Sequence, residues 1–405
     1  MALSRNRCLR TMAFRVHLIV ALLACAWLPP VRAAPYVPAD DALVLERLPF
    51  KAADPVAREL RELRARVAAD PTDARLAAAL ARRYFRLAMA TGDPRYIGYG
   101  EAVLRPWWDS NEAMHDIIKT RALIKQYRHD FAGALTDFAL AGRADPTDEE
   151  VWSWRAALHI VQAKYTEAAG DCAMLKRHGS QTAWAGCQAW VDGMTGKAKE
   201  AYAMTAMAHA RYPDAGASAR LWTLTRLAEL ALRRDDAALA ERHFKEALAI
   251  GVDDQYLLAA YADFLLDQDR PREVLQLLKH WGKSDVLLLR LALADQVLNH
   301  GDAGIHARAL QQRFAAAAMR GDSLHLQEEA RFCLHVLKDP VRALSLARAN
   351  WALQREARDA RILVEAALAA GDHEAAKPAL AWLESSGHED PTVRRLARQF
   401  ATGPR

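Results

Sequence analysis

A small residue returns along this chain on a long beat. Ala134, Ala168, Ala201 and Ala240, then Val274, are separated by 34, 33, 39 and 34 positions. The residues four places later, Phe138, Cys172, Thr205, Phe244 and Leu278, keep the same spacing, and Pro146 and Pro213 lie 67 apart, close to two periods. A helical protein ordinarily shows the 3.6-residue recurrence of apolar positions without a second, longer one. A fixed period in this range marks a chain built from copies of one supersecondary unit. Each copy is too small to bury its apolar face alone, so neighbours stack into a continuous core.

The unit is legible between Asp145 and Ser180. Pro146 closes one helix, Asp148 or a neighbour caps the next, and Trp152, Ala156 and His159 share a stripe at helical spacing. After a break at Ala163-Lys164-Tyr165, a second helix places Tyr165, Ala168, Cys172 and Leu175 on its inward stripe, the small residue sitting where two backbones approach closely. This order of aromatic, small, bulky and closing proline residues resembles the tetratricopeptide repeat. The resemblance implies an all-α fold, a right-handed superhelical α-solenoid of helix-turn-helix repeats, and no cofactor. It is clearest over residues 115–282.

Residues 1–33 read as a signal peptide. Arg5, Arg7, Arg10 and Arg15 form a basic leader, Val16 to Leu28 is an apolar run, and Val31-Arg32-Ala33 offers a cleavage site after Ala33. The run is short for a membrane span and two prolines follow it. Leu22-Leu23-Ala24-Cys25 offers an alternative, a bacterial lipobox that would make the protein an outer-membrane lipoprotein through Cys25. Removing the leader takes away five arginines and no carboxylate, which turns the net charge of +5 into 50 basic against 50 acidic residues. A neutral chain lacks the large basic face that nucleic-acid binding wants.

Pro35, Pro38 and Pro49 make residues 34–53 an extended lead-in. The solenoid then runs over 54–400 in about eight or nine helical hairpins, with 54–69 as an N-terminal cap helix and 392–400 as a C-terminal helix. Pro71 to Ala90 is the next helix, and Gly92-Asp93-Pro94 interrupts before Arg95 to Leu104. The stretch T-G-D-P-R-Y-I-G-Y-G-E-A, followed by Pro106-Trp107-Trp108, resembles the opening repeat of exported bacterial tetratricopeptide proteins without assigned function. Ser284 to Ala318, Ser323 to Gln354 and Asp359 to Leu383 continue as hairpins, with Gly301-Asp302 and Gly371-Asp372 at their turns.

Signs of bond chemistry are few. His300, Asp302 and His306 match no recognised metal-ligand spacing. Asp171-Cys172 with His178 could be a thiol nucleophile and base, but a buried helix-packing cysteine explains the pattern more simply. There is no G-x-S-x-G, H-E-x-x-H, phosphate-binding glycine loop or C-x-x-C. The reading is therefore not an enzyme, with a helical-repeat hydrolase or transferase as the alternative.

In the repeat arrangement Cys172 lies on the second helix of one unit and Cys187 near the start of the first helix of the next. Those helices are antiparallel, so a Cys172–Cys187 disulfide is expected, stabilising by about 3 kcal/mol through a 15-residue loop. Two separate buried thiols are the alternative, and Cys333 reads as a core thiol. The resemblance further implies a concave groove. Its register puts Arg75, Arg82 and Arg86 in the first turn, then Lys119, Leu123, Gln126 and Tyr127, then Ile160 and Val161, then Trp190. Trp222, Glu229 and Arg233 follow, and last Tyr256, Asp263 and Asp267. Tyr, Trp and Arg are common anchors of protein partners. The family's C-terminal-carboxylate clamp needs an Asn that these positions lack. The expectation is a periplasmic or secreted scaffold or assembly factor holding a protein or peptide along this groove. A structural lipoprotein subunit of an envelope complex is the alternative.

Overall fold

The computed structural model describes residues 40, 54–298, 303–319 and 324–401. The chain divides into two compact units, 1–57 and 58–405. In the first, the described residues are Asp40 and the opening of helix α1 (Pro55–Ala69), where Asp54 Oδ1 accepts from the Val56 amide at 2.8 Å. The leader, Cys25, the lead-in apart from Asp40, and Gly301-Asp302 lie outside the described residues.

The described residues of the second unit form helices and turns, with no strand. After α1 come nine hairpins among those residues. They pair α2 (Ala74–Thr91) with α3 (Arg95–Leu104), α4 (His115–Tyr127) with α5 (Phe131–Ala144), α6 (Glu149–Val161) with α7 (Tyr165–His178), and α8 (Gln181–Met194) with α9 (Ala198–Arg211). Then follow α10 (Ala217–Arg233) with α11 (Ala237–Leu248), α12 (Gln255–Asp267) with α13 (Pro271–Leu278), and α14 (Asp285–Leu298) with α15 (Ala303–Met319). The last pairs are α16 (Leu326–Phe332, extended by a π-helical turn to Leu337) with α17 (Pro340–Leu353), and α18 (Ala357–Ala370) with α19 (His373–Ser386), before α20 (Pro391–Ala401). From α2 to α19 the two consecutive helices of each hairpin are main neighbours, as stacked hairpins of a solenoid require, while α20 packs chiefly on α18.

The long beat has a backbone origin. His129, Ala163, Gly196, Asp235 and Asp269 have φ between 55° and 78° and end the first helix of their hairpins. Their spacing is that of the alanines, each lying five residues ahead of Ala134, Ala168, Ala201, Ala240 and Val274. The amide after each left-handed residue reaches back to close the helix, as in Asp130 N–H to Lys125 O and Lys164 N–H to His159 O at 3.0 and 2.8 Å. Asp130 and Asp236 then cap the following helix. The five residues one turn in are all at 0% exposure, so any larger side chain there would hold the two helices apart. The same geometry recurs at Lys338 and Gly371, ahead of Ala343 and Ala376, also at 0%. Thr205, polar at a core position, is satisfied by donating to Ala201 O at 2.8 Å.

Cys172 and Cys187 are joined as expected, with Cα atoms 5.5 Å apart, which ties α7 to α8. That pairing also removes Cys172 as a nucleophile. Cys333 is a buried thiol that burial pushes up to about 11.

The solenoid turns back on itself. Gln255 at the start of α12 donates to Met89 O of α2 at 2.9 Å and accepts from Ser284 Oγ at 2.6 Å. Its amide lies where a side chain on Gly92 would project, 2.5 Å from an ideal Cβ, so this contact and a φ of +70° both hold Gly92 to glycine. The late hairpins then run along the turns of the early ones. Gln354 Nε2 lies 3.1 Å from His129 Nε2, Arg355 N–H donates to Val161 O at 2.7 Å, and Trp382 Nε1–H donates to the Tyr165 hydroxyl at 2.9 Å. Ala198 N–H donates to Glu389 Oε2 at 2.6 Å, while Arg361 and Arg331 reach Asp267 and Asp263 on α12. The inside of the curl is thus occupied by α16–α20, where an open groove was expected. The physical reason lies in α14 and α18. Both bury residues around most of their circumference, as with Ile362, Leu363, Val364, Ala366 and Ala367, and such helices need partners on more than one side.

His129 carries a pH signature of this closure. Burial pushes its imidazole down to about 4, against the opposing pull of Glu328. The unfolded imidazole takes a proton near pH 6.5 and the folded one refuses it until about pH 4. The stabilisation is therefore complete above pH 6.5 and falls as pH drops towards 4, by up to about 3 kcal/mol. His129→Asn, which tolerates the positive φ, should flatten this part of the profile in urea titrations at pH 7, 5.5 and 4.5. Parallel profiles for the two proteins would refute the assignment.

Candidate functional site

Where the inner hairpins meet α8, α10, α12 and α14, they leave a half-enclosed recess of about 300 Å³. Helical periodicity delivers its walls. Trp190 and Met194 of α8, Arg226, Glu229 and Arg233 of α10, and Tyr256, Asp263 and Asp267 of α12 fall at spacings of three, four, seven or eleven, one face of each helix. Arg290 enters from α14, Gln327 and Arg331 from α16, Arg358, Arg361 and Glu365 from α18, with Glu356 at that helix's N-cap. Asp390 and Arg395 complete it around the start of α20.

Arg226 organises one wall. Its guanidinium lies 4.7 Å from the Trp190 ring centre, 4.8 Å from Tyr256 and 5.9 Å from Trp222. Nη1 and Nη2 donate to the two carboxylate oxygens of Glu229 at 2.9 and 3.2 Å, and the Tyr256 hydroxyl donates to Glu229 Oε1 at 2.5 Å. Trp190 and Trp222 meet edge to face at 6.4 Å. Gly186 makes room for this packing, since an ideal Cβ there would stand 2.3 Å from the Trp222 ring.

The opposite wall is a chain of ion pairs. Asp263 takes Arg290 Nη2 at 2.6 Å and Arg331 Nη2 at 3.0 Å; burial would raise its carboxyl, but these two guanidiniums hold it well below the usual range. Arg361 binds Asp267 through both terminal nitrogens at 2.7 and 2.8 Å and Glu365 through Nε at 2.8 Å. His335 lies 3.0 Å from Glu365 on its far side. Burial of Glu365 is outweighed by the His335 and Arg361 contacts, leaving it at about 2. Arg358 pairs with Glu356 at 2.6 Å, and burial pushes the neighbouring Asp359 up to about 6.

Tyr256 is 40% exposed, yet burial pushes its phenol far above the usual value. Both follow from a position deep in the fold with a free face towards the recess, where hydration is poorer than in bulk water. Two donors in these walls find no acceptor on the protein. They are Arg226 Nε and Gln327 Nε2, on residues each 6% exposed.

The structure brings together Trp190, Glu229, Arg233, Tyr256, Asp263 and Asp267 of the groove positions read from the sequence, with Trp222 behind Trp190. It does not bring the earlier ones there. Arg75 and Arg86 are exposed on α2, Arg82 pairs with Glu150, and Lys119 shares Asp148 with His115 at 2.6 and 2.9 Å. Burial pushes Tyr127 up to about 12, and Leu123 and Ile160 belong to the core at 0% exposure. The register missed Arg226, Arg290, Arg331, Arg358, Arg361, Gln327 and Glu356. A signal existed for two of them: Arg226 and Arg290 interrupt apolar runs, L-T-R-L-A and L-L-L-R-L-A, and a charge inside such a run must find a buried partner. Among the described residues no group of three His, Cys, Asp or Glu is placed to hold a metal ion. No described helix is long and apolar enough to cross a membrane.

No protein-family model matches the chain, and no curated protein does. Among solved structures it is similar to a tetratricopeptide repeat protein from Parabacteroides merdae, at 14% identity over 63% of this chain and 91% of that one, with a TM-score of 0.43. It is similar also to the Cut9–Hcn1 hetero-tetramer of the APC/C, at 12% identity, 81% and 63% coverage and a TM-score of 0.48. Yeast Tom70 matches at 11% identity, 85% of both chains and a TM-score of 0.41.

Proposed function

We propose that this chain is a non-enzymatic interaction scaffold, exported to the periplasm or beyond, that holds a segment of a protein partner at the recess between α8, α10, α12 and α18. The observation that carries the reading is the convergence of Trp190, Arg226 and Tyr256 on one half-enclosed cavity built from several hairpins. Aromatic residues and arginine in a largely desolvated pocket are the usual anchors of protein association. The walls are preformed by ion pairs, so little ordering is required on binding. Export is supported by the Cys172–Cys187 disulfide, a bond that persists in oxidising compartments, and by the leader sequence.

The test places a photo-crosslinking residue at Arg395, exposed at the rim, and separately at Met207, 67% exposed on α9 and away from the recess. Illumination in the native envelope should give one protein adduct from position 395 and none from 207. Adducts from 207 alone, or none from either, would overturn the reading. The intact mass of the recovered chain tests export in the same sample: a first residue of Ala34 fits cleavage after Ala33, and an acylated Cys25 refutes it.

A further inference from the structure

A histidine is sealed beneath the start of the last helix. His388 lies in the turn between α19 and α20, is 0% exposed, and has no hydrogen-bond partner for either ring nitrogen. The Trp382 ring covers it at 5.2 Å. A buried polar group without a partner carries a desolvation penalty, so an apolar side chain would hold this turn more firmly at neutral pH. The charged groups around the ring also oppose its protonation. Arg233 of α10 and Arg394 of α20 stand beside it. Glu389 directs its carboxylate to Ala198 N–H at 2.6 Å, and Asp390 caps α20 by accepting from Val393 N–H at 2.9 Å. Burial and then Arg233 push the imidazole well below its ordinary value, against the weaker pull of the Met194 backbone.

The same turn carries one wall of the recess, where Asp390, Pro391, Thr392, Val393 and Arg395 border the cavity. Gly387 meets the α8–α9 turn so closely that an ideal Cβ on Gly196 would stand 2.9 Å from Gly387 O. Arg394 donates from Nε to His388 O at 2.8 Å and from Nη2 to Gly387 O at 2.9 Å. Beyond this turn α20 is thinly anchored. Among its described side chains only Val393 is buried, with Leu396 and Phe400 half-buried against the core. An element with few buried contacts opens at low cost. We propose that residues 387–401 form an acid-released lid on the recess, in which His388, once undocked and protonated, cannot return beneath Trp382 beside Arg233 and Arg394. Because the undocked ring takes a proton near pH 6.5 and the docked ring refuses it, docking is strongest above pH 6.5 and weakens as pH falls below it. The lid's role as a gate rests on the recess being the binding site. Its release does not, and is read without any partner.

Hydrogen exchange of the full mature chain, corrected for the intrinsic pH dependence of amide exchange, is followed by mass spectrometry at pH 7.5, 6.5 and 5.0. The open fraction of residues 387–401 should rise about thirtyfold from pH 7.5 to 5.0, the factor for one proton bound near pH 6.5 in the open state alone. Residues 237–278, on α11 to α13, should show no such step. His388→Leu removes the titrating ring, so exchange in residues 387–401 should be slower than in the wild type and flat across the range. His129 titrates over the same range but is present in both proteins, so the difference between them isolates His388. A wild-type profile without a step, a step that persists in His388→Leu, or an equal rise in residues 237–278 would each overturn the proposal. His388→Met, also apolar, replaces the leucine variant if that one fails to fold. Crosslinking from position 395 reports on the partner and exchange on the lid, so the two readings fail separately.

Discussion

Replacing Asp137 by alanine is expected to destabilise the protein by about 3–5 kcal/mol. Asp137, on α5, is 2% exposed and accepts from Arg121 Nε and Nη2 at 2.8 and 2.7 Å and from Lys125 Nζ at 2.8 Å. Arg121 is 1% exposed, and its Nη1 also donates to the carbonyl oxygens of Trp107, Trp108 and Ser110 at 2.9, 2.6 and 2.9 Å. One guanidinium therefore fastens the loop after α3 to the α4/α5 hairpin, and one carboxylate balances its charge. Removing the carboxylate leaves a buried cation that keeps its three carbonyl acceptors but has no opposite charge to balance it. Removing both partners should hurt less than the sum of the single changes. A double-mutant cycle of Asp137→Ala and Arg121→Met in urea should thus show a coupling of about 1–3 kcal/mol. The exposed Lys377–Glu374 pair should show none that can be measured. A loss below about 1 kcal/mol for Asp137→Ala would mean that Arg121 is hydrated in solution.

Trp382→Ala should be as damaging, at about 3–5 kcal/mol, and its damage should appear far from residue 382. The indole is 7% exposed, packs edge to face on Trp351 at 5.9 Å and over His388 at 5.2 Å, and donates to the Tyr165 hydroxyl. Burial pushes the Tyr165 phenol up to about 12, so it stays protonated and its oxygen remains a neutral acceptor. Loss of the ring opens a cavity between α19 and the α6/α7 turn. Hydrogen exchange should speed up both in residues 340–401 and around residues 160–198, two segments that a simple solenoid would not couple. Tyr165→Phe, which only orphans the indole N–H, should cost about 1 kcal/mol with the same pattern. Faster exchange confined to α19 and α20 would show that the inner layer does not depend on this contact.

The hairpin is the part of this protein that its sequence states openly. The alanine beat, the caps at Asp130, Asp148 and Asp236, and the Cys172–Cys187 pair are all consequences of contacts made within about forty residues, where chain connectivity keeps partners close. The recess was half legible. Trp190, Glu229, Tyr256 and Asp263 were found because the register implied by the tetratricopeptide resemblance places them on the inward faces of α8, α10 and α12. Arg331, Glu356 and Arg358 were not, since nothing local says that α16 and α18 will lie opposite α12. What the sequence by itself determined is the repeating unit, its turn chemistry and its disulfide. Only the tertiary structure decided that the curl closes and is filled by its own last hairpins. That outcome depends on the small rotation added by each hairpin and on contacts such as Gln354 with His129, 225 residues apart, for which no short-range pattern exists.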